Sequence, residues 1–543
     1  MISTDVIIAG GGPVGMTLAL ELAHHGVRSI LLERNPTTTR HPKMDLTNGR
    51  SMELFRRLGI VNELRAVGVD PTESHDIVWA TKATGHVLHR FAYPSPVAAR
   101  EIARVANDGS HTLEPAMRVS QIVLEPVLKA QLDASEFVDV RFNCAFESFV
   151  QDNEGVSVME LDRSTGEYID LRGTFLAGCD GGGSKVRECM GIELEGQYAI
   201  AGAYMVHFRS DARDILGKFG ISYHLQTGLG TIIAQNGRDI WTLQSIAPAD
   251  TDPDELLRRF VGTDFDYEIL VANPWTPHMV LAERYRAGRV FLAGDSAHQV
   301  IPTGGYGMNT GVGDAVDLGW KLAAAVKGWG GDALLESYAI ERHAIGVQNR
   351  AAAGQHAWVR GAISEAIMTA EAQGDLDAAG VGSRRAALGR QIAEFGNHEN
   401  ECWGIEHGYS YAPSPVVWTD EIGDFQFDPL RCQASAAAGN RLPSYYLGDG
   451  RALLDLLGQE FTLLVVGAVD TAAALAAASS AGIPVSLVEL DEEPVLERLG
   501  AAALLIRPDQ HVAWRGAAED ADWAAIFQKV SGQFELKKEE IAA

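Results

Sequence analysis

The stretch that decides the fold is DVIIAGGGPVGMTLALELAHHGVRSILLE, residues 5–33. It starts with a short apolar run, which is typical of a buried parallel strand. Gly10, Gly12 and Gly15 follow with the spacing G-x-G-x-x-G, and an apolar helical pattern starts inside that motif. A second strand pattern then ends in Glu33. The stretch therefore predicts a strand, a glycine turn, a helix and a second strand of an α/β fold.

This arrangement indicates a dinucleotide site. A glycine turn lets backbone N–H groups approach a pyrophosphate, and the helix N-terminus adds a favourable dipole. Glu33 lies a little over twenty residues after the first glycine, where a carboxylate can accept hydrogen bonds from both hydroxyls of an adenosine ribose. The alternative is a structural glycine turn, which the framing by strand, helix, strand and acid disfavours. The predicted cofactor contacts are Gly10, Gly12, Pro13, Val14, Gly15, Glu33 and Arg34.

Length, composition and charge limit the classes of function that are possible. A chain of 543 residues predicts two or three domains, and 46% hydrophobic with 22% charged residues is typical of a soluble globular protein. The net charge of −27 argues against nucleic acid or an anionic membrane as partner. The five scattered cysteines form no C-x-x-C pair, which suits a reducing compartment and argues against a zinc site or any other metal site. We expect a cytoplasmic protein.

The strand-to-glycine pattern recurs twice, at Asp180-Gly181 and at Gly294-Asp295. Between these two turns, residues 186–275 change to period-two segments with aromatics, which predict an antiparallel sheet beside the nucleotide fold. Such a sheet is a natural wall for a substrate pocket. The last part, from about residue 440, alternates strand and helix patterns and predicts a compact α/β domain.

Three motifs resemble the single-component flavoprotein aromatic hydroxylases of the phenol hydroxylase and para-hydroxybenzoate hydroxylase type. They are GGGPVG (10–15) with Glu33, CDGGGSKVR (179–187) and RVFLAGDSAHQVIPTGGYGMNTGVGDAVDLGWKL (289–322). Ser296 and Ile301 are mild departures from the family pattern. GIEHGYSYAPSP (404–415) is similar to a tyrosine-rich segment of the larger members. RPDQHVAWR (507–515) resembles the end of their thioredoxin-like domain, and the missing C-x-x-C suggests a structural or dimer-supporting role.

The resemblance implies a fold of three parts: a Rossmann-like FAD-binding domain, an inserted β-sheet substrate domain and a C-terminal thioredoxin-like α/β domain. The expected ranges are 1–75 with 110–185 and 276–400, then 76–109 with 186–275, then 410–543. It also implies FAD as cofactor, NADPH or NADH as co-substrate, and a homodimer. A C4a-hydroperoxyflavin formed with O₂ would hydroxylate a small phenolic substrate ortho or para to its hydroxyl.

The resemblance also implies roles for residues that occupy the family's motif positions. Asp295 would hold the ribityl chain of the flavin, and Arg118 and Gln121 would contact its ribityl and phosphate region. Lys43 stands where many members have arginine, and Asp180 would bridge the flavin and nicotinamide sites. A glycine-rich loop before a helix would bind the flavin ring, since the helix dipole stabilises negative charge on the reduced ring. That loop supplies Pro302, Gly305, Gly307, Met308 and Asn309, with Pro302 also on the substrate wall.

Asp45 is the candidate catalytic residue. Hydroxylation needs an electron-rich ring, and a carboxylate beside a phenol can act as general base to form the phenolate. In phenol hydroxylases an Asp precedes the helix arginine, as Asp45 precedes Arg50 here; the alternative is a helix cap. Four side chains on the predicted sheet could line the pocket or belong to its core: Tyr223, His224, Gln235 and Trp241.

Rival functions remain open at this point. A flavin-dependent halogenase should show W-x-W-x-I-P, and the sequence has none. A flavoprotein monooxygenase that acts on a polyketide or another non-phenolic substrate has the same motifs. A non-catalytic flavoprotein, with the C-terminal domain as a docking module, is the third alternative.

Overall fold

The computed structural model describes residues 2–419 and 425–536. Residues 420–424 and 537–543, which fall in the predicted C-terminal domain, lie outside the described residues. Within the described ranges, two large sheets and a C-terminal sheet hold most of the strands, and long helices pack between them. The mixed α/β class predicted from the sequence is confirmed.

The first large sheet contains the strand that starts the chain's glycine motif. Its strands, in spatial order, are β20 (Arg286–Ala287), β21 (Val290–Leu292), β12 (Phe175–Gly178), β2 (Val6–Ala9), β3 (Ser29–Glu33) and β8 (Val138–Phe142). From β21 to β8 neighbouring strands are parallel, and only β20 is antiparallel to its neighbour. Because β2, β12 and β21 are parallel neighbours, their carboxyl ends lie at one edge of the sheet. The three glycine turns predicted from separate parts of the chain therefore meet there.

The second large sheet is the predicted substrate sheet. It has seven strands: β18 (Glu268–Trp275), β14 (Ala203–Arg209), β17 (Ile240–Ile246), β16 (Gly230–Ala234), β15 (His224–Thr227), β5 (Ile77–Ala80) and β6 (Val87–Phe91). Every pair is antiparallel except β15 with β5. All seven strands lie within residues 76–109 and 186–275, the two segments assigned to this sheet from the sequence.

Three smaller sheets complete the N-terminal part. The four-stranded sheet is β1 (Ile2–Ser3), β11 (Tyr168–Gly173), β10 (Val156–Asp162) and β9 (Cys144–Gln151). The three-stranded sheet is β13 (Leu194–Gln197), β19 (Met279–Ala282) and β22 (His298–Gln299). The two-stranded sheet is β4 (Leu46–Thr47) with β7 (Met117–Arg118), paired antiparallel. This short pair matters because it joins the segment after Asp45 to Arg118.

Twelve helices lie in the described residues before the C-terminal domain. They are α1 (Pro13–His24), α2 (Gly49–Arg57), α3 (Val61–Val67), α4 (Pro96–Ala106), α5 (Gln121–Asp133), α6 (Lys185–Met190), α7 (Arg213–Leu216), α8 (Pro253–Val261), α9 (Tyr306–Val326), α10 (Asp332–Ala372), α11 (Gly382–Phe395) and α12 (Trp403–His407). Helices α1 and α9 pack closely, and the 41-residue α10 runs on to the substrate sheet, where Ile363 and Ile367 join its core. None of the described helices is long and apolar enough to cross a membrane.

The C-terminal domain has the predicted thioredoxin-like topology. Its sheet order is β24 (Val485–Leu490), β23 (Phe461–Val466), β25 (Ala503–Ile506) and β26 (Val512–Gly516). The first two strands are parallel and the other pairs antiparallel. Its helices are α13 (Ala472–Ser480), α14 (Glu493–Leu499) and α15 (Trp523–Val530).

Candidate active site

The glycines of the first motif divide into two roles. Gly10 has φ +109°, and a Cβ there would lie 2.2 Å from the carbonyl oxygen of Cys179. A Cβ on Gly15 would lie 2.0 Å from the carbonyl oxygen of Gly10. A Cβ on Gly12, in contrast, would meet no atom within 4 Å. Gly10 and Gly15 are therefore required by packing, whereas Gly12 borders the open space that a bound pyrophosphate needs.

The neighbours of these glycines hold the turn in place. Pro13 is the first residue of α1, and Val14 packs between Gly294 and Gly311 of the third motif. Glu33 accepts a hydrogen bond from the Gly11 N–H at 2.8 Å. It also accepts from the backbone N–H and side-chain amide of Asn35. A carboxylate has about four acceptor positions, so Glu33 can still accept from a ribose. The Arg34 side chain is exposed, and its carbonyl accepts from Arg163.

The third glycine turn presents a free carboxylate. Asp295 follows β21 in a short 3₁₀ turn, and its side chain is exposed to the cleft. The turn is fixed from behind by Asp314, which accepts from the Gly294 N–H at 3.0 Å and from His298 at 2.7 Å. Although this carboxyl is exposed on one side, the protein atoms packed around it raise its pKa, and His298 and Lys43 act against that increase. A partner that donates hydrogen bonds, such as a sugar-like chain, suits this position.

The glycine-rich loop ends at the N-terminus of α9. Gly304 and Gly305 have φ +77° and +66°, and a Cβ on Gly307 would meet no atom within 4 Å. Asn309 donates to the carbonyls of Leu46 and Gly305 and accepts from the Asn48 N–H. Pro302 is exposed, and Met308 packs partly on the main core. Asn309 thus joins the loop to the strand that follows Asp45.

These features fit FAD. Gly12 and Gly307 both face open space, Asp295 offers an unused carboxylate, and the first turn of α9 has no side-chain cap. They lie along one edge of the first large sheet and on the helix beside it. Val14 contacts Gly294 and Gly311, so the first glycine turn, the third turn and α9 adjoin one another.

Gly12→Ala is expected to separate cofactor binding from folding. Because its Cβ points into open space and Gly12 has φ −79°, the stability of the apoprotein should change by less than about 0.5 kcal/mol. The methyl group would displace the pyrophosphate, so FAD affinity should fall by about 10-fold or more. Titration of apoprotein with FAD and thermal unfolding test this. Gly183→Ala, also open at its Cβ, is the control; wild-type FAD affinity in Gly12→Ala would contradict the assignment.

Asp45 lies where the FAD-binding segments meet the substrate sheet. It directly precedes β4, and its carbonyl accepts from the Val119 N–H at 2.9 Å. The cap of α2 is Asn48, which accepts from Ser51 at 2.9 Å, so the alternative reading of Asp45 as a helix cap does not hold. Its Oδ2 atom is buried and has no hydrogen-bond partner among the described residues. The hydrogen-bonding capacity of this oxygen is therefore unused in the described part of the chain.

The surroundings of the Asp45 carboxyl change its pKa. Burial raises the pKa of Asp45 to about 6, and the positive charges of Arg118 and Arg360 act against that increase. An acid with a pKa close to neutrality is suited to act as a general base at physiological pH. Above pH 6 the group is mainly ionised and can accept a proton.

Three further residues expected to contact the flavin lie in different surroundings: Arg118, Gln121 and Lys43. Arg118 is buried and donates to the carbonyls of Ser222, at 2.8 Å, and Ile221, so its guanidinium joins β7 to the substrate sheet and faces Asp45. Gln121 donates to Glu125 at 2.7 Å. Lys43 is exposed and near enough to lower the pKa of Asp295. Contact of these three residues with the flavin stays a prediction.

Asp180 has a structural duty that was not predicted. Its carboxylate accepts from the hydroxyl of Ser184 and from the backbone N–H groups of Lys185 and Val186, at 2.7 and 3.1 Å. These are the free donors at the start of α6. In this structure Asp180 caps the start of α6, and its contact with the flavin or nicotinamide stays a prediction.

Strand alternation divides the predicted substrate residues between the two faces of the second sheet. Tyr223, His224 and Gln235 lie on the face toward α10, where the Tyr223 and His224 rings stack at 3.8 Å. Trp241 lies on the other face, in the core with Phe208 and Leu243, and its indole N–H donates to Ser210. Of the two readings left open for Trp241, the structure thus shows the core position.

The structure also brings in side chains that the sequence did not indicate. Arg360, on α10, donates to Glu399 at 2.6 Å and approaches His224 at 3.4 Å. Gln226 is buried on the same face as His224, with an unpartnered Oε1. These residues come together only through packing of distant segments, and no local motif marks them. In the described residues no cluster of His, Cys, Asp or Glu could hold a metal ion.

Comparison with known proteins agrees with this geometry. Residues 3–353 match the family model described as "FAD binding domain", and residues 435–533 match "Aromatic-ring hydroxylase, C-terminal". The chain is 34% identical to the FAD-dependent monooxygenase apdD of Emericella nidulans, over 97% of this chain and 90% of that protein. It is 31% identical to 4-methyl-5-nitrocatechol 5-monooxygenase of a Burkholderia species, over 96% of both.

A solved structure shares the whole architecture. The flavin-dependent monooxygenase PieE, in complex with FAD and substrate, superposes with a TM-score of 0.89 at 27% identity, over 98% of this chain and 99% of that chain. Both the FAD-binding domain and the C-terminal domain are thus covered. The chain belongs to the single-component FAD-dependent aromatic hydroxylases.

Proposed function

We propose that the chain hydroxylates a phenolic aromatic ring ortho or para to its hydroxyl, with O₂ and with NADPH or NADH as electron source. The observation that carries this is Asp45: a carboxyl with a buried, unpartnered oxygen, placed between the FAD-binding segments and the substrate sheet. Relatives named as monooxygenases, one of them for a nitrocatechol, support the phenolic class.

The residues that would hold FAD lie at the glycine turns of the first large sheet and at the N-terminus of α9. Gly12 and the N-terminus of α1 would face the pyrophosphate, Glu33 the adenosine ribose, and Asp295 with Lys43 the ribityl region. The loop from Gly304 to Asn309 would face the ring. When bound, FAD takes up electrons from NAD(P)H and activates O₂. The protein binds the ring, orients the substrate against it and excludes water.

Asp45 would take the proton from the substrate hydroxyl. With a pKa of about 6 it is ionised at neutral pH, and its free Oδ2 can accept the phenol O–H before the proton moves. The resulting phenolate directs hydroxylation to its ortho and para carbons because its negative charge is delocalised there. Arg118 and Arg360 lie near enough to affect Asp45 and would stabilise the combined negative charge of carboxylate and phenolate.

Two neighbouring rings are kept neutral. Burial raises the pKa of Tyr223 and lowers the pKa of His224, so neither carries charge at neutral pH. The stacked pair would supply two flat, uncharged rings to the wall of the proposed pocket. The sequence has no second strand-framed G-x-G-x-x-G motif for NAD(P)H, which supports transient binding of the nicotinamide.

The test is NAD(P)H consumption by the FAD-loaded protein in air, with a panel of one-ring and multi-ring phenols and product masses recorded alongside. We expect at least one phenol to speed consumption and to gain one oxygen atom. Its O-methyl ether is the matched control, because it keeps the shape but has no proton for Asp45 to take. The ether should yield hydrogen peroxide without a hydroxylated product.

Other outcomes point to the alternatives. Hydroxylation of a polyketide or another non-phenolic ring, with no response to any phenol, would replace the phenolic class. NAD(P)H consumption that stays at the basal rate with every compound would favour a non-catalytic flavoprotein. Both results would remove Asp45 from the role of general base.

We also propose a homodimer. Three large apolar side chains, Val347, Trp358 and Met368, are exposed on α10, spaced so that they lie on one side of the helix. A second copy of the chain packed along this side of α10 would remove all three from water, which favours association. Light scattering is expected to give about twice the chain mass of 58.4 kDa; the mass of a single chain at micromolar concentration would contradict a dimer.

A further inference from the structure

A buried polar cluster lies beneath the ring-binding loop and has no part in the proposed chemistry. Tyr306, the first residue of α9, is only 2% exposed. Its hydroxyl donates to Cys402 Sγ at 2.7 Å and lies 2.9 Å from His356 Nε2. Burial lowers the pKa of His356, so the imidazole is neutral at physiological pH. The hydroxyl is thus held by α10 and by the residue that caps α12.

The same contacts fix the loop itself. A Cβ on Gly304 would lie 2.6 Å from the Tyr306 ring, so the loop backbone rests directly on that ring. The Thr303 hydroxyl donates to the carbonyl of Ala353 at 2.8 Å, which adds a second tie to α10. Tyr306 also packs with Ala353, Cys402 and Ile405 in a small core. The loop is therefore clamped at both ends of its turn.

The element held by these contacts is the N-terminus of the 21-residue helix α9, whose first N–H groups have no side-chain cap. Gly305 is the cap residue of α9 and has no side chain to satisfy the first N–H groups. The open space beside Gly307 leaves room for a flat ring to approach them. The positive end of a helix dipole stabilises a negatively charged ligand more than a neutral one, and the effect falls off within the first turn. Its strength thus depends on how well that turn is held in place.

We propose that Tyr306, held by His356 and Cys402, is a positioning residue that keeps the N-terminus of α9 against the flavin ring and so favours the reduced, negatively charged cofactor. The inference rests on the assignment of this loop to the flavin ring but not on any particular aromatic substrate. Loss of the hydroxyl should release the first turn of α9 and weaken the binding of reduced FAD more than that of oxidised FAD.

The experiment uses the FAD-loaded protein without substrate. Tyr306→Phe keeps the ring and removes the two hydrogen bonds. Anaerobic redox titration against a reference dye is expected to show a more negative potential, equivalent to an affinity ratio for reduced over oxidised FAD that falls by about 3- to 10-fold. The absorption bands of the bound flavin should shift as well, since they report the polarity around the ring.

Tyr93→Phe is the matched control, because that hydroxyl bonds to Glu401 and Asn397 in the adjoining segment but does not contact the loop. We expect its potential to equal that of the wild type. His356→Gln, which alters the same clamp from α10, should move the potential in the same direction as Tyr306→Phe and tests the proposal if the tyrosine variant does not fold. A wild-type potential in both clamp variants, or an equal shift in Tyr93→Phe, would overturn the proposal.

Because these readouts involve neither substrate nor hydroxylation, they can fail independently of the proposed function. A protein that hydroxylates no phenol could still show the expected shift in potential. A phenol hydroxylase with an unchanged potential in Tyr306→Phe would keep its function and lose this role for the clamp.

Discussion

Asp45→Asn is expected to lower hydroxylation of a phenol by about 100-fold or more near pH 6, because asparagine cannot accept the phenolic proton and a positioned base contributes on that scale. The loss should shrink as the pH approaches the pKa of the phenol itself, since the solution then supplies phenolate directly. FAD binding should be spared. The measurement is the pH profile of product formation for both proteins.

An acidic phenol provides the internal control. A nitro-substituted phenol that is already ionised at the assay pH needs no base, so Asp45→Asn should hydroxylate it much closer to the wild-type rate. A variant with the same pH profile as the wild type, or with an equal defect on both phenols, would exclude Asp45 as the base.

The same substitution should stabilise the fold. The pKa of Asp45 is raised from 3.8 in the reference state to about 6, so the ionised carboxylate opposes folding increasingly as the pH rises through that window. Wild type and Asp45→Asn should therefore be equally stable near pH 4. Above pH 6 the variant should gain about 1–3 kcal/mol. Denaturation at the two pH values, with the sign of the difference as readout, tests whether this site gives up stability for function.

The second large effect is expected at the junction with the C-terminal domain. Arg507 is 1% exposed and hydrogen-bonds Asp317, Glu341 and Asp509 at 2.6 to 3.1 Å. Arg507→Met would leave three buried carboxyls with Lys321 as the remaining cation that hydrogen-bonds two of them, Asp317 and Glu341. Removal of one partner from such a network costs about 3–5 kcal/mol. We expect the first unfolding transition in urea to move to lower concentration, and its free energy of unfolding to fall by that amount.

Lys327→Met is the control for this prediction. Lys327 also links the FAD-binding domain to the C-terminal domain, through Glu460, but its side chain is 34% exposed. Exposed pairs contribute about 0–1 kcal/mol, so this variant should unfold almost as the wild type does. Equal losses for the two variants would show that the buried network does not hold the domains together. Arg507→Lys, which keeps the charge, should recover part of the stability.

The sequence predicts a feature when that feature depends on residues close together in the chain, and fails when it depends on contacts between distant segments. Gly10, Gly12 and Gly15 were found because backbone approach imposes a fixed spacing, and their joint position with Asp295 follows from parallel strands. Asp45 was named from the resemblance, because it precedes Arg50 as an Asp precedes the helix arginine in phenol hydroxylases. Arg360 and Glu399 could not be found, since Arg360 meets His224 and Glu399 only when distant segments pack together in the folded chain.

Three side chains have surroundings that the sequence did not predict, for equally specific reasons. Trp241 belongs to a strand whose alternation was correct, but alternation alone does not say which face meets the core of the sheet and which meets α10. Arg118 and Asp180 both follow or form strand ends near the cofactor cleft. Their side chains instead satisfy carbonyl groups of the substrate sheet and the free N–H groups of α6, demands that depend on neighbours far along the chain or on the exact turn.

The most direct test of the central claim is the source of the added oxygen. The FAD-loaded protein, NAD(P)H and a phenol that speeds consumption are incubated under ¹⁸O₂, and the product is examined by mass spectrometry and NMR. We expect one ¹⁸O atom per product, in a new hydroxyl ortho or para to the original one. A product that carries oxygen from water, or a hydroxyl meta to the original, would contradict hydroxylation of a phenolate formed at Asp45.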